Sequence, residues 1–162
     1  MADTPEPVEG CGPHVDLVVR GAPKGAKQPV PARQLPGGTV QILHSAGLVP
    51  GVAAGDEIRM LDEREGTFEI VRRGGNVCIQ IYSRKAIAAV AEWISPKLNL
   101  LGGRLDGRIE RAAVFTVPVQ SGFRAMEEVM EGAQKAFPEM EWTYGNVYAD
   151  DGATPLNWWN AG

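Results

Sequence analysis

The spacing of apolar positions changes period once, near residue 84, and the change divides the chain. Before it, apolar residues alternate with polar ones in short runs, the signature of half-buried strands. Val15, Leu17 and Val19 share a face of residues 14–20, a predicted strand rich in β-branched side chains. Residues 28–35 and 39–44 form a predicted hairpin around Pro36-Gly37-Gly38, its first strand limited by Pro29 and Pro31 to an edge or an extended arm. Residues 56–61, 67–72 and 77–82 follow as a predicted meander, joined by turns at 62–66 and at Arg73-Gly74-Gly75-Asn76. Six short strands in such succession predict a β-meander or small barrel.

After residue 84 the period becomes helical. Ile87, Val90, Ala91 and Ile94 form one stripe over residues 84–95, and Pro96 is expected to end that helix. Two strands are expected at 97–104 and 108–117, around Gly102-Gly103. A second helix runs from a Ser121 N-cap to Phe137, with Phe123, Met126, Met130, Ala133 and Phe137 inward and Glu127, Glu128, Glu131 and Lys135 toward solvent. Residues 140–148 supply a last strand. From Val77 the order is strand, helix, strand, strand, helix, strand, which is the ferredoxin-like order. The predicted class is α+β, with a β-rich half at 14–82 and a ferredoxin-like half at 77–148 in one compact domain. Residues 1–13 are expected to be a disordered tail and 149–162 an acidic, Trp-containing tail.

Between the hairpin and the meander lies Gly47-Leu-Val-Pro-Gly-Val-Ala-Ala-Gly-Asp56, which reads as a backbone-critical crossover. Gly51 and Gly55 are candidates for positive φ, and Asp56 for a turn held through backbone N–H groups. Ser45, Leu48, Gly51, Val52, Ala53, Gly55 and Asp56, followed by a meander and the helical half, resemble the bacterial domain-of-unknown-function family 4265. The resemblance spans about residues 14–148. It departs where Ala46-Gly47 stands in place of a Pro-Phe pair. It implies a fold and a bacterial source, and the family has no assigned activity. Small bacterial proteins of this type include immunity partners of secreted toxins, which makes that role an expectation by association.

Composition narrows the classes. The chain has 162 residues, 44% hydrophobic and 22% charged, with 20 glycines and 12 prolines. A net charge of −4 disfavours a general nucleic-acid binder. The N-terminal sequence has acids where a signal peptide needs cations and an apolar core, and no apolar run reaches the roughly 20 residues of a membrane span. With Cys11 and Cys78 far apart, the expectation is two free thiols in the cytoplasm rather than one long-range disulfide.

Candidate chemistry is thin. Cys11-Gly-Pro-His14 has zinc-ligand spacing, but His44 and Cys78 would have to complete the set from other strands, so no metal and no cofactor are expected. Cys78 with His44 is a possible nucleophile and base, yet both lie on predicted strands. No nucleotide-binding or hydrolase fingerprint occurs. Charge is more telling. Residues 84–111 carry six Lys/Arg against three Asp/Glu, and residues 120–162 carry two against seven. Trp158 and Trp159 follow the acids Asp150 and Asp151; they either dock onto the sheet or anchor a partner.

Three readings follow. The first is a non-enzymatic protein-binding protein, most concretely an immunity protein occluding a toxin's active site. There Glu127, Glu128, Glu131, Glu139 and Glu141, or Asp150, Asp151, Trp158 and Trp159, would meet a basic cleft. The second is a small-molecule-binding or regulatory module between the two halves. The third is an enzyme in which Asp56, His44 and Cys78 converge.

Overall fold

The computed structural model describes residues 13–19, 26–85, 87–149 and 151–160. Among the described residues the fold is mixed α+β, with two antiparallel sheets and two α-helices. The first sheet has the order β1-β2-β3-β4-β5, built from His14–Val18, Lys27–Gln34, Val40–Ile42, Glu57–Asp62 and Thr67–Arg72. It curls on itself, because Val18 N–H donates to the Gly66 carbonyl at 3.0 Å beside the β4–β5 turn. Leu17, Val30, Ile42 and Ile58 fill its interior with Val49 and Val52 of the crossover.

The second sheet has the order β7-β8-β6-β9, from Arg104–Arg108, Ala112–Pro118, Asn76–Tyr82 and Glu141–Tyr144. Helices α1 (Ile87–Asn99) and α2 (Phe123–Ala136) cover one face of it. Val77, Ile79 and Ile81 pair with Val117, Phe115 and Ala113 and turn toward the helices. The alternate set of Cys78, Gln80 and Tyr82 necessarily faces the other way. Among the described residues, no helix is long and apolar enough to cross a membrane.

Several elements depart from expectation for physical reasons. Strand β2 is interior to its sheet, although Pro29 and Pro31 predict an edge. The prolines lie in the part of β2 whose ladder is with β1, whereas the β3 ladder begins only at Ala32. Strand β6 does not close a meander with β5. It leaves for the second sheet and pairs with β8 and β9. Pro96 does not end α1, and the strand expected at 97–104 begins only at Arg104. Pro96 removes one ladder bond, but Leu98 continues the stripe of Ile87, Val90, Ala91 and Ile94 and is fully buried. Ser121 is not the cap of α2; Gly122 is, and the Ser121 hydroxyl donates to the Leu101 carbonyl instead. The last strand stops at Tyr144, well short of 148. The expected tail at 1–13 lies outside the described residues except for Pro13, whose carbonyl accepts from Ala32 N–H at 3.1 Å.

Candidate functional site

The crossover between β3 and β4 lies across the helix-free face of the second sheet. A loop in that place buries backbone polar groups and must find partners for them. Gly51 N–H donates to the Gly145 carbonyl at 2.7 Å, and Gly55 N–H to the Ile42 carbonyl at 2.7 Å. Both glycines have positive φ, 86° and 93°. The Asp56 side chain is fully buried and accepts from Ala53 N–H at 3.0 Å and Gly74 N–H at 2.8 Å. Arg73 Nη1 lies 3.2 Å from the same carboxylate and donates to the Gly51 carbonyl at 2.9 Å. Burial pushes the Asp56 carboxyl above its ordinary range, against the opposing pull of Gly74, Ala53 and Arg73. A side chain on Gly74 would meet the Gly55 backbone at 2.3 Å, so the two chain segments touch directly.

A second anchor surrounds Ser45. Its hydroxyl lies 2.6 Å from that of Thr116 and accepts from Ala54 N–H at 3.0 Å, while its N–H donates to Asp106 at 2.7 Å. Thr116 also donates to Asp106 at 2.5 Å, and Arg104 closes the cluster from Asp106 to the Leu43 carbonyl. A third anchor is Asn146, fully buried. It accepts from Cys78 N–H at 2.9 Å and donates to the Asn76 carbonyl at 2.9 Å, and its own carbonyl receives the Trp158 indole at 2.8 Å. The family-like residues Ser45, Gly51, Gly55 and Asp56 thus clamp two sheets together. Sequence reasoning missed Arg73, Asp106, Thr116 and Asn146 as their partners. The one available signal was Thr116, a lone polar residue inside the apolar run of β8.

No reactive centre emerges from Asp56, His44 and Cys78. Cys78 is fully buried against Ala46, and burial pushes its thiol up to about 12. Asp56 is buried and bonded, while His44 is exposed on the surface. Cys11, and with it the Cys-x-x-His reading, lies outside the described residues. Among the described residues no three His, Cys, Asp or Glu side chains gather as a metal site.

The acidic residues do not form one patch. Glu127, expected in solvent, is half-buried and accepts from the Tyr144 hydroxyl at 2.9 Å. Burial, with Glu127 second, raises that phenol further. Glu128 and Glu131 are exposed on α2, the former 3.7 Å from Arg124. Glu139 lies 3.6 Å from Lys85. Glu141 pairs across the sheet with Tyr82 and so belongs to the helix-free face, opposite α2. Asp150 lies outside the described residues. Asp151 accepts from Ala153 N–H, Thr154 N–H and the Thr154 hydroxyl, the last first among the bonds that hold its carboxyl at about 2. Trp158 and Trp159 are half-buried. Trp158 lies over Arg73, 5.5 Å from the guanidinium carbon, and Trp159 packs edge-on against Phe123.

Beyond the clamp the crossover stops short of covering the sheet. A groove of about 290 Å³ opens between Gly47, Leu48 and Pro50 on one side and Gln80, Thr143 and Tyr148 on the other. Leu48 and Tyr148 are 50% and 38% exposed there, and Tyr82 on the same face is 51% exposed. The groove's walls are held: Leu48 N–H donates to Gln28 at 3.0 Å, and Gln80 donates to the Ala46 carbonyl at 3.0 Å.

Among solved structures, the chain resembles one described as a novel crystal structure of a hypothetical protein from Neisseria gonorrhoeae. The TM-score is 0.58 at 14% identity, over 82% of this chain and 91% of that one, a likeness of fold. No curated protein matches the chain. The family model described as Domain of unknown function (DUF4265) matches residues 29–139, a span that contains the anchors at Asp56 and Ser45 but ends before the one at Asn146. The chain belongs to the DUF4265 family.

Proposed function

We propose that this chain is a non-catalytic protein-binding protein, most concretely a cytoplasmic immunity protein that blocks a toxin by occluding a basic active-site cleft. The observation that carries the reading is the set of exposed acids in the C-terminal third, divided between α2 with Glu128 and Glu131 and the helix-free face with Glu141. Glu128, Glu131, Glu139, Glu141 and Asp151 are all exposed there, and Glu131 and Glu141 have no ion pair among the described residues. Exposed carboxylates of this kind raise the rate of encounter with a basic partner and make binding sensitive to salt. That the buried Cys78 and Asp56 belong to the clamp supports a role for the surface instead. The order β7-β8-β6-β9, all antiparallel and with two helices on one face, favours the ferredoxin-like arrangement for the second half.

A second reading, a small-molecule-binding or regulatory module, has the groove beside Leu48 in its favour.

The test is affinity capture with the tagged chain from a bacterium that encodes it, at low and at moderate salt. A single stoichiometric protein, released as salt rises, is expected. Its affinity should then fall when Glu128, Glu131, Glu139 and Glu141 are changed to Gln. Capture of nothing at either salt, or a partner indifferent to all four changes, would sink the acidic-surface reading.

A further inference from the structure

The helix-free face of the second sheet is covered unevenly. At Cys78, Val114 and Thr116 the crossover lies directly on it: Cys78 and Ala53 pack together, and a side chain on Gly47 would reach Val114 at 3.9 Å. One pleat further, at Gln80 and Thr143, which are cross-strand partners, the cover ends and the groove begins. The groove is bounded on its outer side by the chain leaving β9. That segment folds back through a Tyr148–Pro155 bridge and an Ala149 N–H bond to the Thr154 carbonyl at 2.9 Å. The walls are therefore preorganised, which lowers the cost of binding.

Its chemistry is selective. Ten residues line the groove and none of them is charged, although a chain with 22% charged residues would place about two there, and charge depletion of this kind marks interface centres. Its 290 Å³ corresponds to roughly ten waters at about 30 Å³ each. That volume takes one or two side chains and is too small for a dinucleotide cofactor. A carboxylate shares the face: Glu141 is exposed and lies on the same side of β9, two residues before Thr143, whereas the Asp151 carboxylate is taken up by Ala153 and Thr154.

We propose that this groove is a docking site for an extended segment of a partner protein, with small or aliphatic uncharged residues in the groove and a flanking Lys or Arg toward Glu141. Leu48 and Tyr148 supply the apolar contact and Gln80 and Thr143 the polar floor, with Glu141 on the same strand face as the flanking charge. The inference rests on the protein-binding reading above and moves its centre from α2 to the opposite side of the sheet.

The experiment is selection of a random dodecapeptide library, displayed on phage, against the full chain. Selected peptides are then titrated by fluorescence anisotropy against the wild type and three variants. Uncharged cores flanked by Lys or Arg are expected, weakened at least tenfold by Leu48→Asp and by Thr143→Arg, and changed less than twofold by Glu131→Gln on α2. Both groove positions are exposed, so either variant alone keeps the test meaningful if the other folds poorly. Peptides weakened by Glu131→Gln and indifferent to the groove variants would overturn the groove while leaving a protein-binding role intact. Selection of no groove-dependent peptide would overturn it too, and so would groove-dependent peptides without basic flanks, since they refute the charge assignment.

Discussion

The two faces of the second sheet are built from the same strands and covered in opposite ways. On one face Ile79, Ile81, Phe115 and Val117 meet two helices, whose backbone groups are already bonded within themselves. Cover of that kind needs only apolar area, at about 1.5–3 kcal/mol for each large side chain fully buried. On the other face Cys78, Val114 and Thr116 meet a loop, whose N–H and C=O groups arrive unpaired. Every one that is buried must be satisfied. The loop-covered face therefore carries Ser45, Asp56, Asn76, Asp106, Thr116 and Asn146, and the helix-covered face carries leucine, isoleucine and methionine. The clamp should tolerate almost no change; the helix layer should tolerate a good deal.

The sharpest way to break this contrast is a pair of glycine substitutions. In Gly74→Ala the new methyl would lie 2.3 Å from the Gly55 backbone, where no flexible side chain can yield. A loss of roughly 3–5 kcal/mol is expected, at the upper end of overpacking effects. In Gly132→Ala, within α2, the methyl meets the rim of Trp93 at 3.1 Å. There a gain in helix propensity of up to about 1 kcal/mol opposes a small ring shift, so a net change within about 1 kcal/mol is expected. Urea unfolding of both variants decides; equal losses would refute the contrast.

Next in size is Asp56→Asn. It leaves Arg73, whose side chain is only 20% exposed, beside a neutral partner, and sets an amide donor among donors. A loss of about 3 kcal/mol at neutral pH is expected, from the upper range for broken buried pairs discounted for partial exposure. The pH dependence has a definite sign. The folded chain holds the Asp56 proton to a higher pH than the unfolded chain, whose carboxyl titrates near 3.8. This group's contribution is therefore full below 3.8 and is lost as pH rises through the folded value. In Asp56→Asn that part of the stability–pH slope should vanish; an unchanged slope would show that the carboxyl is not perturbed.

Ser45→Ala comes third. It strips Ala54 N–H of its acceptor and one neighbour from Thr116, both buried, and about 2 kcal/mol is expected for the orphaned groups. A loss below about 0.5 kcal/mol would mean that water replaces the hydroxyl and that Ser45 anchors nothing.

These residues also mark how far the sequence could be read. The alternation in β4 and β5 and the stripe of α2 were legible because each is a local period. Gly51, Gly55 and Asp56 stood out because glycine and a short acid have local backbone preferences. Arg73, Asp106 and Asn146 were not legible, since their partners lie 17, 61 and 68 residues away. The Arg73-Gly74-Gly75-Asn76 turn looked like a hairpin because its residues suit one. There β6 instead leaves for the other sheet, and Gly74 packs on Gly55, a contact no local pattern encodes. Pro96 misled for the opposite reason: its local penalty is real, and burial of Leu98 outweighs it. The glutamates were legible as a charge count and not as a surface, because α2 and Glu141 stand on opposite sides of one sheet.

The smallest expected effect on stability is the one that bears most on function. Leu48 belongs to the same crossover as the clamp residues, three positions from Ser45 and eight from Asp56. Its side chain nevertheless is 50% exposed, and its backbone N–H is held by Gln28. If the crossover exists only to seal the sheet, Leu48→Asp should either cost as much as Ser45→Ala or do nothing in any assay. If the open end of the face is the working surface, stability should move by less than about 0.5 kcal/mol, as for ordinary surface substitutions, while binding falls tenfold or more. Exposure alone does not single Leu48 out, since Leu61, Leu100 and Ile109 are more exposed; its place at the edge of the groove does. A partner seated there would complete its burial, and parallel measurement of unfolding and peptide affinity on this one variant decides between a sealing loop and a working surface.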